Sequence, residues 1–197
     1  MGDMLNVRAI RRIDDGVLGP GVRVGVWFQG CSIGCPGCMV PELQPAVPYE
    51  LVDSVTLFER VMDMSGDARE VSISGGEPFE QPVGAMGEFL GMLKDNGFGI
   101  WIYSGYTLDE LAAKGRDAEI ALADCIVDGR YRRELDDGAP LRGSSNQRVI
   151  MISDRYSGAR FPGTRKMQFS VERDGVSMVG IPPVGFWDRF RERIRKF

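Results

Sequence analysis

Cys31, Cys35 and Cys38 are the most concentrated chemistry in the chain. Their spacing is C-x3-C-x2-C, on a stretch that also holds Gly34, Pro36 and Gly37. Among 197 residues there is no histidine and one further cysteine, Cys125. Three thiolates on a short loop of this composition suit an iron–sulfur cluster. A zinc site would want four Cys or His ligands, and three unrelated buried thiols are the plainest alternative. A four-iron cubane on this loop keeps one iron without a protein ligand. Whatever fills that position decides the function. Cys125 reads as a core residue. It alternates along a strand with Ile126 and Asp128, so if Asp128 faces the site, Cys125 faces the helices.

The elements that must position this loop follow from hydrophobic periodicity. Val22–Phe28 is β-branched and aromatic, reads as a buried strand, and runs into the cysteines. Strands at Val71–Ser74, Gly99–Tyr103 and Cys125–Asp128 end in Gly75-Gly76-Glu77, in Ser104-Gly105 and at Asp128 itself. Helices are expected at Glu50–Met64, at Val83–Lys94, and from the Thr107 cap to about Ala123, where Thr107 and Glu110 have capping-box spacing. Leu5–Ile13 reads as a short edge strand and Arg148–Ser153 as another strand. Met167–Val171 and Val176–Val179 read as a hairpin turning at Glu172–Gly175, with Asp174-Gly175 as the turn signal. Phe186–Phe197 reads as a basic amphipathic helix with Trp187, Phe190, Ile194 and Phe197 on one side, packed on the domain.

Strand and helix alternate from residue 22 to 153, which argues for an α/β fold with a parallel sheet. Only about five β-α steps fit, too few for a closed eight-stranded barrel, so a partial, open β/α barrel is expected. The chain is expected to be one domain, 1–197, with its core at about 22–153 and a C-terminal β-hairpin and short helix at 165–197. In such folds chemistry gathers at the carboxyl ends of the strands. The cysteine loop, Gly75-Gly76-Glu77, Ser104-Gly105 and Asp128 all fall there, which argues for one shared site.

Composition narrows the function classes. A hydrophobic fraction of 43% and a charged fraction of 26% are those of an ordinary globular protein. A net charge of −4 disfavours nucleic acid as a partner. No apolar run is long enough to span a bilayer, and Met1–Ile10 lacks a signal-sequence pattern, so a cytoplasmic location without membrane attachment is expected. There, clustered cysteines bind metal or do redox chemistry more often than they form disulfides.

C-x3-C-x2-C after the first strand of a β/α domain, with Gly-Gly-Glu after the next, resembles the radical S-adenosylmethionine (SAM) superfamily. The resemblance implies a [4Fe–4S] cluster on Cys31, Cys35 and Cys38, with the amino and carboxylate groups of SAM on the open iron. One electron then cleaves the sulfonium to a 5′-deoxyadenosyl radical that abstracts hydrogen, so no protein acid or base is required. It also implies that Gly75, Gly76 and Glu77 meet the SAM amino end, that Ser104 and Asp128 make further SAM contacts, and that Gly37 and Met39 line the adenine pocket. Gly19-Pro20-Gly21 with Arg23, Gln29-Gly30-Cys31, Cys35-Pro36-Gly37-Cys38, Pro41-Glu42, Tyr103-Ser104-Gly105-Tyr106-Thr107, Val127–Tyr131 and Leu141–Arg148 are similar to the glycyl-radical-enzyme activating proteins. Their nearest type is the one serving anaerobic ribonucleoside-triphosphate reductase. That family commonly has an aromatic or His and then Asn after the third cysteine, where this chain has Met39 and Val40. The resemblance implies a larger glycyl-radical enzyme as partner and flavodoxin or ferredoxin as electron donor. The alternatives are a radical SAM enzyme acting on a peptide or small molecule, and a non-catalytic iron–sulfur or zinc scaffold.

Overall fold

The computed structural model describes residues 3–173 and 175–195. Asp174 of the expected turn, Phe197 of the tail helix, Met1 and the Ile194 side chain lie outside the described residues. The chain begins with two long strands, β1 (Leu5–Ile13) and β2 (Arg23–Phe28), paired antiparallel. A short β3 (Glu50–Val52) follows, then α1 (Ser54–Ser65), β4 (Glu70–Gly75), α2 (Val83–Asp95) and β5 (Gly99–Tyr103). Two short helices, α3 (Leu108–Ala113) and α4 (Asp117–Leu122), lead to β6 (Cys125–Asp128) and β7 (Arg148–Met151). The C-terminal hairpin is β8 (Met167–Glu172) with β9 (Gly175–Gly180), followed by α5 (Phe186–Ile194).

The first seven strands form one open sheet in the order β3-β1-β2-β4-β5-β6-β7. β2, β4, β5 and β6 are mutually parallel, with an antiparallel border on each side. Parallel strands must be covered on both faces, and here they are. On one face Val24, Val26, Phe28, Val71, Ile73, Ile100, Ile102 and Ile126 pack with Leu57, Val61, Phe89, Leu90, Leu93 and Leu111 of the helices. On the other, Ile13, Val17 and Leu18 meet Val179 and Ile181 from the hairpin region, and Trp101, Cys125, Val127, Leu141 and Tyr156 form a second small cluster. Among the described residues no helix is long and apolar enough to cross a membrane.

Four expectations are corrected. The helix expected from Glu50 starts at Ser54, because Asp53 caps it by accepting from Thr56 N at 2.8 Å. Residues 50–52 are extended instead and pair with Leu5–Val7, so β1 is not an edge strand. The helix expected through Ala123 is broken at Lys114-Gly115, where Gly115 takes a φ of +72°. Finally, Cys125 faces away from the helices. Its face-mates Trp101 and Val127 lie in the cluster opposite them, and it is Ile126 that joins the helix-side core.

Candidate active site

The cysteine loop is a closed excursion from the end of β2. Gly30 N donates to Leu43 O at 2.8 Å and Cys31 N to Gln44 O at 2.9 Å, so the two ends of the loop pair with each other. Gln29 reinforces this closure from beneath, its Nε2 donating to Pro45 O at 2.8 Å. Gly34 and Gly37 sit at φ +62° and +75°, which lets the chain turn back twice within eight residues. Burial pushes the Cys31 and Cys35 thiols up, while backbone N–H groups of Ile33 and Gly34 at Cys31, and of Tyr131 at Cys35, favour the thiolates.

The exit of β4 meets this loop directly. Gly76 N donates to Phe28 O and Glu77 N to Gly30 O, both at 2.8 Å. The approach demands glycine: a Cβ on Gly76 would lie 2.1 Å from Gly30 O, and one on Gly75 would lie 2.5 Å from the Phe28 backbone. All three cysteines, Met39, Gly75, Gly76, Glu77 and Ser104 therefore line one cavity of about 230 Å³. Gly37 lines an adjoining groove that shares Cys38, Met39 and Tyr131 with it.

The donor set fits an iron–sulfur cluster. The three thiols are half-buried on one loop and face a common cavity, walled on its other side by backbone that only glycine allows so close. Among the described residues no three Cys, Asp or Glu side chains converge tightly enough to hold a single metal ion. A cubane asks for something different, one thiolate on each of three separate irons.

A family model described as a 4Fe-4S single cluster domain matches residues 17–150. The anaerobic ribonucleoside-triphosphate reductase-activating protein of Escherichia coli K12 is 31% identical over 142 residues, covering 68% of this chain and 92% of that protein. The chain belongs to this activating-protein family. The same-named protein of Vibrio cholerae is 31% identical over 140 residues, 68% of this chain and 90% of its own. The crystal structure of QueE from Escherichia coli overlaps more loosely, with a TM-score of 0.42 at 21% identity over 53% of each chain, and the assignment rests on the sequence matches. As a member of the activating-protein family the chain is a radical SAM enzyme, and its cofactors are a [4Fe–4S] cluster and SAM.

The polar side chains around the cavity mostly hold the loops together. The Glu77 carboxylate is 1% exposed and accepts from Ser104 Oγ at 2.9 Å, Gly105 N at 2.8 Å and Phe79 N at 3.1 Å. Burial is the larger influence and pushes its pKa up to about 7, against the pull of those donors. One turn on, Glu80 accepts from Ser32 N at 2.8 Å and from Tyr106 Oη at 2.7 Å. Burial raises its pKa, but these donors outweigh it and hold the carboxyl below its ordinary value. Glu77 and Glu80 thus staple the β4 exit to the β5 exit and to the cysteine loop. Tyr106 belongs to the Tyr103–Thr107 motif, whereas Glu80 lies in none, although it stands three residues beyond Glu77 at the same strand exit.

Asp128 stands apart from these residues. It does not line the cavity. Its carboxylate accepts from Leu108 N at 2.9 Å and from Arg148 Nε at 2.9 Å, so it caps α3 and pairs with β7. Strand alternation sends it to the helix side with Ile126. Residues that do line the cavity but were not expected to include Ser74, Gly129 and Met178–Ile181. From the Leu141–Arg148 loop, Gly143 and Gln147 reach it, positioned by Gly143 N donating to Gln147 Oε1 at 2.8 Å.

Proposed function

We propose that the chain binds a [4Fe–4S] cluster through Cys31, Cys35 and Cys38, cleaves SAM reductively on it, and installs a glycyl radical on a larger partner enzyme. Anaerobic ribonucleoside-triphosphate reductase is the partner for which its relatives are named. The observation that carries this reading is the meeting of the cysteine loop and the Gly75-Gly76 turn on one cavity. When bound, the cluster supplies one electron to the SAM sulfonium, whose cleavage yields a 5′-deoxyadenosyl radical able to take hydrogen from carbon.

The chain's own residues orient and enclose. Gly75 and Gly76 present backbone to the amino end of SAM, a contact that a side chain would block. Glu77 is saturated by three protein donors. Its part is to fix Ser104 and Gly105 at the cavity wall. Met39 packs, as Trp27 and Tyr103 do, against the Ile13–Val179–Ile181 cluster and offers an adenine ring an apolar, polarisable surface. The open sheet, helices outside and cavity inside, fits a partial barrel of the radical SAM type. Flavodoxin or ferredoxin would deliver the electron.

A second reading, a peptide or small-molecule substrate, draws on Met178–Ile181. They lie beyond the matched residues 17–150 and wall the cavity from its far side. Anaerobic reconstitution tests the shared chemistry. Reduced protein with SAM should release 5′-deoxyadenosine and show a SAM-perturbed cluster EPR signal. A zinc-loaded protein that leaves SAM intact would sink both readings. A gene for a large protein with a C-terminal glycyl-radical loop beside this one separates the first from the second.

A further inference from the structure

The family model ends at residue 150, so β8, β9 and α5 are an addition to it. The addition is fixed to the body of the protein. Arg165 is buried and donates to Asp136 Oδ1 at 2.7 Å, Ala139 O at 2.9 Å, Arg142 O at 2.9 Å and Pro182 O at 2.8 Å. Gln168 bridges the end of β1, accepting from Asp14 N at 2.9 Å and donating to Arg12 O at 3.1 Å. These anchors hold α5 beside the cysteine loop. Between them lies a groove of about 550 Å³, with Gly37, Cys38 and Met39 on one wall and Trp187 and Arg191 on the other.

The outer surface of the addition has the makings of a protein interface. Phe169, Trp187 and Phe190 are 49%, 39% and 39% exposed and join Phe186 in one aromatic cluster. Arg189, Arg191, Arg193 and Arg195 are all exposed around it. Residues 186–197 carry five basic and two acidic residues in a chain whose net charge is −4. Aromatic residues with arginine are the usual anchors of interfaces, and a basic patch on an acidic protein steers acidic partners to one face.

We infer that this face docks a small acidic one-electron carrier protein, which reduces the cluster from the Cys38 side. The inference rests on the radical SAM reading of the chain. The groove shares Cys38, Met39 and Tyr131 with the cofactor cavity but none of Gly75, Gly76, Glu77 or Ser104. A partner on α5 therefore meets the cysteine wall, with Met39 of the adenine surface beside it, and not the wall assigned to the amino end of SAM. An electron can pass through the cysteine wall, whereas hydrogen abstraction needs contact with the SAM side. The step is balanced as it stands: the carrier loses one electron, the cluster gains it, and no proton or atom moves.

Oxidised flavodoxin is the probe, titrated into the full chain and followed by fluorescence anisotropy at low and physiological salt. Binding should weaken with salt, and R189E/R193E should weaken it by about tenfold or more. The reconstituted variant should still cleave SAM with dithionite as reductant and lose cleavage driven by reduced flavodoxin. Equal flavodoxin binding by variant and wild type overturns the inference. So does a variant whose defect is instead in self-association, in binding anionic vesicles or in binding the glycyl-radical partner. A wild type that binds flavodoxin in the expected way but cleaves no SAM with dithionite would overturn the enzyme reading and leave the docking surface standing.

Discussion

Replacing Glu77 by Gln probes the joint that holds the site together. The native carboxylate is buried, takes three donors, and has its pKa pushed from 4.5 to about 7 by desolvation. The folded value lies above the unfolded one. Between those two pH values the native chain therefore keeps a proton that the unfolded chain has lost. Stability from this group is fully present below pH 4.5, falls as pH rises through the window, and is gone above about 7. At about 1.4 kcal/mol per pKa unit, the whole window is worth about 3.5 kcal/mol. Glutamine does not titrate, so the variant lacks this slope. It also offers one acceptor oxygen to three donors, and an orphaned buried N–H costs about 1–3 kcal/mol. The variant should thus be the less stable protein near pH 5, and the two should converge or cross by about pH 8. Urea unfolding of the cluster-free chain across that range, under reducing conditions, gives the wild-type-minus-variant difference. A difference that does not change with pH would refute the argument, because every other titrating group cancels in the subtraction.

The remaining expectations are more direct. Cys35→Ser should lose bound iron and the cluster's visible absorbance after reconstitution, whereas Cys125→Ser, buried against Trp101 and Tyr156, should keep both. Gly76→Ala forces a Cβ to 2.1 Å from Gly30 O, a backbone atom that cannot swing aside. It should cost about 1–3 kcal/mol in thermal or urea unfolding and also lower iron loading. Asp128→Asn disturbs the bonds to Leu108 N and Arg148 without touching the cavity. It should lower stability by about 1–2 kcal/mol while leaving SAM affinity by calorimetry unchanged; a large affinity loss would return Asp128 to the site. Arg165→Met leaves Asp136 and several carbonyls without their donor. It should cost about 3–5 kcal/mol and make residues 167–195 the first to be cut in limited proteolysis.

The cysteine loop was legible because its information is local: three soft ligands at close spacing with no histidine to compete. The parallel sheet was legible from alternation of periods. What failed was what depends on distant partners. Glu50–Val52 has an apolar pattern that suits helix or strand, and the choice is made by β1 lying beside it. Alternation correctly divided Cys125 from Asp128, but which face the helices cover is a tertiary fact. The signal lay in Ile126, which pairs in register with Ile102 of β5, a residue of the helix-side core. Met178–Ile181 reach the cavity through a hairpin that lies well beyond the last motif, Leu141–Arg148, so spacing alone could not place them there.

The distribution of roles in the site explains why a chain without histidine can do difficult chemistry. Glu77, Glu80 and Gln147, the side chains usually read as chemistry, spend their hydrogen bonds on Ser104, Gly105, Ser32, Tyr106 and Gly143. The surfaces left for a cofactor include thiols, glycine backbone, the Met39 side chain and Tyr103, whose buried hydroxyl has no hydrogen-bond partner among the described residues. Such a site has little to offer in proton transfer. It does have a rigid enclosure, in which two strand exits and the loop are bonded to one another at several points. Radical chemistry asks for that division of labour: the cofactor carries the reactive species, and the protein's task is to keep it oriented and away from everything but its target.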